Sequence, residues 1–310
     1  MQILVQTALL IIGFAMLVKG ADWFVEGVSG IASKFGIPQL VIGLTIVAMG
    51  TSAPEAAVSI TAALKGNSGI TIGNVVGSNI LNILIILGIT AVIINVAVQK
   101  STLKCEIPYM IFISLVLFAM GATGGSIDFT EGIVLWILFI AYLAYLFVMA
   151  KKGKEEIREE HKKEKVWKLL LFAVAGGGLV VWGSDVTVDS ATSIALACGL
   201  SERFIGLTIV ALGTSLPELF TSVTAAMKGK ADIAIGNIVG SNVFNILFVI
   251  GTTALITPVI FEASFLIDTL ISVAAGILLW LSVVKTRQLR RPWGIVMLLS
   301  YFGYFAYLLI

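Results

Sequence analysis

The sequence predicts an all-α membrane protein with ten transmembrane helices in two inverted-topology five-helix repeats. Three observations carry that prediction. Apolar runs of membrane-spanning length recur along the whole chain, the sequence repeats itself at a constant offset, and basic residues collect on alternate loops. Of the 310 residues, 58% are hydrophobic and only 12% are charged, and the mean hydropathy is +1.05. Soluble domains carry about a quarter charged residues.

Crossing ~30 Å of hydrocarbon takes roughly 20 apolar residues. Runs of this kind lie near 3–30, 37–64, 69–94, 105–122 and 130–150, then 166–193, 200–227, 232–256, 262–284 and 292–309. Several exceed what the bilayer requires, which implies tilt or breaks. The first run has no basic leader and no small-residue cleavage site, so it reads as a retained helix rather than a signal peptide. Segment 151–165, KKGKEEIREEHKKEK, is polar throughout and reads as a solvated linker between a first half, 1–150, and a second, 166–310. His161, the single histidine, falls in that linker and is expected to face solvent. Cys105 and Cys198 are isolated thiols without metal spacing, expected to serve packing. A net charge of +2, with basic residues confined to loops, gives nucleic acid no footing.

Sliding the sequence on itself by 163 residues aligns Gly20 with Gly183, Asp22 with Asp185, Glu55 with Glu218 and Gly88 with Gly251. Between 42–55 and 205–218, 12 of 14 residues are identical, and between 70–88 and 233–251, 12 of 19 are. The matches include Thr, Ser, Pro, Glu and Asn, which chance similarity between greasy segments would not supply. The chain is an internal duplication.

Five spans per copy is odd, so the second copy must enter the membrane from the opposite side. Loops near Lys34, Lys100, Lys104, 151–168, Lys228, Lys230 and 285–291 carry 17 Lys or Arg, whereas the other face has Lys65 and Arg203, with Lys19, at the polar KGADW step, assigned to neither. The positive-inside rule makes the richer face cytoplasmic and puts both termini outside, in a cell membrane. Inverted repeats are a transporter architecture, with a site expected at the midplane where broken helices meet.

The stretches TIVAMGTSAPE (45–55) and TIVALGTSLPE (208–218) supply such breaks. Pro54 lacks an N–H and disfavours helix at Ala53, which frees carbonyls one turn earlier, around Ala48–Thr51. In hydrocarbon those carbonyls need protein, water or a cation. Thr51 and Ser52 add hydroxyls, and Glu55 adds a charge on the face of Thr51. The second copy supplies Ala211, Thr214, Ser215, Pro217 and Glu218. The product is an oxygen cage with two carboxylates, suited to hard cations such as Ca²⁺ and Na⁺. Neither glutamate has an intramembrane Lys or Arg on this map, and ionised residues there are by default functional.

GNVVGSNILN (73–82) and GNIVGSNVFN (236–245) form the second motif. Asn74, Ser78 and Asn82 recur four apart as one polar stripe, and Gly73 and Gly77 permit close helix approach. Asn74 and Asn237 are placed to brace the broken backbone. Asp22 and Asp185 are expected to cap or hydrogen-bond locally, and Glu26, Glu131, Glu262 and Asp268 to be solvated near the interfaces.

These paired blocks resemble the α-repeats of the Ca²⁺/cation antiporter superfamily, specifically the prokaryotic Na⁺/Ca²⁺ exchangers, and the resemblance spans both halves. It implies Glu55 and Glu218 as central ligands for both ions, with Thr51 and Thr214 as carbonyl and hydroxyl ligands for Ca²⁺. It implies Ala48, Ser52 and Ser241 lining one outer Na⁺ site, Ala211, Ser215 and Ser78 lining its mate, and Asn82 at the centre. One departure matters. Several members of the family carry an aspartate where Asn245 stands, so this site holds at most two formal charges, which argues against K⁺ dependence.

The expected activity is therefore Na⁺/Ca²⁺ antiport by alternating access, with the lipid bilayer and the two ions as partners, no cofactor, and a monomer as the working unit. Two carboxylates cannot balance Ca²⁺ and several Na⁺ together in a poor dielectric, so occupancy is mutually exclusive. A Ca²⁺/H⁺ exchanger on the same scaffold is the alternative, since Glu also carries protons. A channel would need a continuous pore. A hydrolase would need a nucleophile–base pair or a histidine pair, and the spans contain no histidine, so no enzyme is expected.

Overall fold

The computed structural model describes residues 2–64, 69–152, 165–197 and 211–308. Lys65, His161, Cys198, Arg203, most of the linker and the first part of the 200–227 run lie outside these residues. Helices occupy every predicted run: α1 Gln2–Phe35, α2 Gln39–Thr51, α3 Ala53–Leu64, α4 69–93, α5 Thr102–Gly124 and α6 Phe129–Lys152. The second half gives α7 Val166–Ala197, α8 Ala211–Thr214, α9 Leu216–Met227, α10 Ala231–Ile256, α11 Ala263–Val284 and α12 Arg291–Leu308. Among the described residues, 7 helices are long and apolar enough to cross a membrane, or 8 if the bent pair α2–α3 forms one span.

Punctuation in the sequence sets these bounds. Gly36 takes a left-handed φ of 63° after α1, and Pro38 opens the next helix. Gly229, at φ 71°, turns the chain between α9 and α10. Asp128 and Glu131 cap α6 reciprocally: the Glu131 N–H donates to Asp128 Oδ1 at 2.9 Å and the Asp128 N–H to Glu131 Oε2 at 3.0 Å. Glu131 is thus a capping residue as well as a solvated one.

The burial pattern is inverted relative to a soluble domain. α4 and α10 form the buried centre and carry the polar motif, while α1, α6, α7 and α12 expose large side chains such as Leu4, Ile11, Ile137, Phe147, Val174, Trp182 and Phe302. Lipid solvates those side chains, and the polar groups meet one another inside.

Contacts between the halves are reciprocal. Two short strands of the first half, β1 Val96–Ala97 and β2 Ser126–Ile127, pair antiparallel with β4 Gln288–Leu289 and β3 Val259–Ile260 of the second. The register is Val96 opposite Leu289 and Ile127 opposite Val259. Gly88 of α4 backs onto Gly294 of α12, and Gly251 of α10 onto Gly132 of α6. α1 packs along α7 through glycine. A Cβ on Gly20 would lie 2.9 Å from the Gly176 carbonyl, one on Gly176 would lie 2.7 Å from the Gly20 carbonyl, and Gly13 and Gly183 face each other at 3.1 Å. Residue numbers rise on one helix as they fall on the other, so these two repeat mates run antiparallel.

Charged groups on this pair differ from expectation. Asp22 is not merely capped locally: its carboxylate meets Lys19 at 3.1 Å and, from across the repeat, Lys228 at 2.6 Å. Lys228 also donates to the Asp22 carbonyl at 2.9 Å and reaches Glu26 at 3.8 Å. Asp268 is not simply solvated either, because Tyr304 donates to it at 3.1 Å. Cys105 corrects the packing expectation: it is exposed, on the outward face of the turn that opens α5.

Candidate cation site

The site grows from two helix breaks. Pro54 removes the N–H that would have bonded the Gly50 carbonyl, and the chain bends by 49° between α2 and α3. Ser52 sits at the hinge with φ −84° and ψ 9°, and Ser215 repeats it at φ −92° and ψ 4°. The flanking bonds survive, Ser52 N–H to the Ala48 carbonyl at 3.0 Å and Ala56 N–H to the Ser52 carbonyl at 3.1 Å. The break is therefore a kink that opens a few carbonyls rather than an unwound segment.

Each kink turns a glutamate into the protein, where Glu55 is 1% exposed and Glu218 0%. The serine of each hinge reaches the glutamate of the other half. Ser52 Oγ donates to Glu218 Oε1 at 2.7 Å, and Ser215 Oγ lies 3.4 Å from Glu55 Oε1. Ser241 Oγ lies 3.5 Å from Glu218 Oε1 and 3.4 Å from the Ala48 carbonyl, so Ala48, Ser52, Ser241 and Glu218 meet. On the other side Ser78 is buried on α4, whereas the Ala211 side chain lies outside the described residues. Thr51 Oγ1 has three acceptors in range, Asn237 Oδ1 at 3.0 Å and the Val47 and Ala48 carbonyls at 3.1 and 3.3 Å. Its single proton serves one at a time. Thr214 occupies the mate position and is half-buried.

The asparagines hold this arrangement from behind. Asn74 Nδ2 donates to the Glu55 carbonyl at 3.1 Å and to Ser59 Oγ at 2.9 Å. Asn237 Nδ2 donates to Ser222 Oγ at 2.9 Å and approaches the Glu218 carbonyl at 3.5 Å. The bracing expected of these two amides is present.

Asn79 and Asn242 were not singled out from the sequence, yet they bind the two central helices together. Asn242 Nδ2 donates to the Asn79 carbonyl at 3.1 Å and Asn79 Nδ2 to the Asn242 carbonyl at 3.3 Å. Asn82 Nδ2 donates to Asn242 Oδ1 at 2.9 Å, and Asn245 Nδ2 to Asn79 Oδ1 at 3.2 Å. Their signal was the third residue of each GSN triplet, repeated at the same offset.

What the network leaves over is the chemistry. Glu55 Oε2, Glu218 Oε2, Asn82 Oδ1 and Asn245 Oδ1 are buried with no hydrogen-bond partner. Because Asn82 and Asn245 spend their N–H groups on the opposite helix, their carbonyl oxygens stay available. Unsatisfied buried oxygens, two of them acidic, are costly unless something positive completes them. Oxygen ligands with two formal charges suit a hard cation such as Ca²⁺, or Na⁺ in its place. A cavity of about 670 Å³ lies between the α1–α7 pair and α2, bounded by Phe24, Ile46, Gly50, Thr51, Trp182 and Asp185, and it reaches the first kink.

A family profile described as "Sodium/calcium exchanger protein" matches residues 5–148 and 168–310. The sodium/calcium exchanger MaX1 of Methanosarcina acetivorans is 33% identical, over 99% of this chain and 99% of its own. The inner membrane protein YrbG of Escherichia coli is 36% identical, over 89% of each chain. Among solved structures, the sodium-calcium exchanger NCX_Mj soaked with Na⁺ and Sr²⁺ superposes with a TM-score of 0.86 at 34% identity. That match covers 98% of this chain and 99% of the other.

Proposed function

Because the chain belongs to the sodium/calcium exchanger family, and so to the multi-pass membrane antiporters of cations, we propose that it exchanges Na⁺ for Ca²⁺. The observation that carries this reading is the set of four partnerless oxygens on Glu55, Glu218, Asn82 and Asn245. Ca²⁺ takes both carboxylates, with Thr51 and Thr214 completing its shell. Na⁺ takes the flanking positions, one among Ala48, Ser52 and Ser241, the other among Ala211, Ser215 and Ser78. Two negative charges balance one Ca²⁺ or two Na⁺, never both sets, and that exclusion couples the fluxes without any long-range relay.

The alternating step is assigned to the α1–α7 pair. Glycines lock the two helices to each other, while a large apolar cavity opens between part of the pair and α2. They can therefore slide as one body across a centre fixed by the asparagine network. The antiparallel run of these repeat mates, and the reciprocal strand pairs, support inverted topology with five spans per half, 1–150 and 166–310. The cytoplasmic face is then the basic one, including linker 151–165, and both termini are extracellular. A single chain contains the whole site, so the monomer is the working unit.

The test is Ca²⁺ uptake into proteoliposomes under a Na⁺, K⁺ or H⁺ gradient, each imposed alone. Uptake is expected with Na⁺ alone. Glu55→Gln and Glu218→Gln, which keep size and remove one balancing charge, should each abolish it. Uptake driven by H⁺ alone would select the Ca²⁺/H⁺ alternative, and near-normal flux in either variant would remove the carboxylate cage.

A further inference from the structure

Away from the centre, the described residues hold a second group of buried oxygens without hydrogen-bond partners: Thr102 Oγ1, Glu106 Oε2 and Tyr142 OH. These residues are 0%, 1% and 4% exposed. Thr102 and Glu106 bound the π-helical turn that opens α5, with the Thr102 side chain beside Glu106, and Tyr142 of α6 lines the same cavity as Glu106. The other Glu106 oxygen accepts a hydrogen bond from Tyr145. Tyr109 stacks on Tyr142 with ring centroids 5.3 Å apart and donates its hydroxyl to the Leu138 carbonyl at 2.9 Å. A cavity of about 320 Å³, bounded by Cys105, Glu106, Tyr109, Tyr142 and Tyr145 among others, leads to the carboxylate from the protein surface. The transport site uses none of these side chains.

The repeat provides an internal comparison. The outer helices register at an offset of 162, as Gly132 and Gly294 do, so Asp268 and Tyr304 are the mates of Glu106 and Tyr142. There the phenol donates directly to the carboxylate at 3.1 Å, and Asp268 is only half-buried. The second-half cluster is satisfied by its own hydrogen bond and is not fully buried. The first-half cluster is buried at the end of its cavity, and its phenol and its free carboxylate oxygen have no hydrogen bond between them.

We propose that Thr102, Glu106 and Tyr142 form a second, untransported Na⁺ site that clamps α5 to α6. One carboxylate and two neutral hydroxyls balance one monovalent ion, whereas a divalent ion would leave net charge in a poor dielectric. All three are hard oxygen donors, and among the described residues no cluster of three His, Cys, Asp or Glu side chains offers a transition-metal site. Occupancy joins two helices that lie outside the sliding pair, so the ion stiffens the frame rather than the moving part.

The experiment uses the full chain carrying Glu55→Gln and Glu218→Gln, which empties the transport site of charge, so it stands whatever the exchanged ion proves to be. Thermal unfolding in detergent is followed while NaCl replaces choline chloride at fixed ionic strength and pH. The Tm is expected to climb with Na⁺, because a ligand that binds only the folded state stabilises it. Adding Glu106→Gln should abolish the climb, adding Tyr142→Phe should move it to higher Na⁺, and adding Asp268→Asn should leave it intact. If Glu106→Gln does not yield a monodisperse protein, Tyr142→Phe, which deletes one hydroxyl, decides. A second readout is alkylation of Cys105 with Cys198→Ser in place, expected to slow as Na⁺ rises. A flat Tm, a climb that ignores both first-half substitutions, or one that follows acidification instead of Na⁺ would overturn the proposal.

Discussion

At the scale of single residues, Asn245 decides how much charge the centre holds. Asn245→Asp would set a third acid beside Glu55 and Glu218, and clustered carboxylates resist joint ionisation. Ca²⁺ transport by that variant should lose activity to proton competition at higher pH than the parent does. The check is a pH series at matched Na⁺ gradients, and superimposable profiles would place residue 245 beyond the electrostatic reach of the site. Asn242→Ala tests the network behind the site. It strips the acceptor from Asn82 and the donor from the Asn79 carbonyl, so stability should fall by about 1–3 kcal/mol, read as a lower Tm. The glutamates were legible in the sequence because an acid after a proline, twice, has few innocent explanations in a membrane helix. Asn79 and Asn242 were not, because each lies five residues past the first motif asparagine and so falls off the four-residue stripe. Glu106 escaped for another reason: it sits at the rim of a predicted span, and its mate is an aspartate at a shifted offset.

Among the elements, the spans were legible because lipid imposes a length, and within the described residues helices occupy the predicted runs. Their internal geometry was not. α4 and α10 pass through π turns at Asn82–Leu87 and Asn245–Ile250, each beginning on a central asparagine. A π turn changes which way later side chains point, and hydropathy is blind to it. The α1–α7 seam gives the element-scale prediction. A Cβ on Gly176 would fall 2.4 Å from the Phe24 backbone nitrogen, while one on Gly178 would meet nothing within 4 Å. Gly176→Ala should therefore splay the pair, at about 1–3 kcal/mol for an overpacked contact, and slow Ca²⁺ flux. Gly178→Ala should do neither. Calorimetry and vesicle uptake on the two variants make the comparison. Lys228, partly exposed beside Asp22, contributes little to stability, but Lys228→Gln should alter transport rate if α1 moves past it.

For the whole molecule, topology is the open expectation. A cysteine introduced at Lys154 should react with impermeant thiol reagents from the cytoplasm, and one added after Ile310 from outside. Labelling of both from one side would overturn the inverted arrangement. Charge distribution is what motivates that orientation, whereas nothing in the sequence foretold that short strands would join opposite halves.

Reciprocity of the Asn79–Asn242 and Gly20–Gly176 contacts has a historical consequence. When residue i of one half meets j of the other, and j's counterpart meets i's, the surface is self-complementary, as between identical subunits. A five-helix ancestor able to insert in either direction could thus have paired with its own copy before any gene fusion. The polar bridge then contributes proximity. Residues 1–152 and 153–310, made as two polypeptides in one cell, should purify together and carry Ca²⁺. An ancestral half, rebuilt from the positions the two halves still share, should associate with itself.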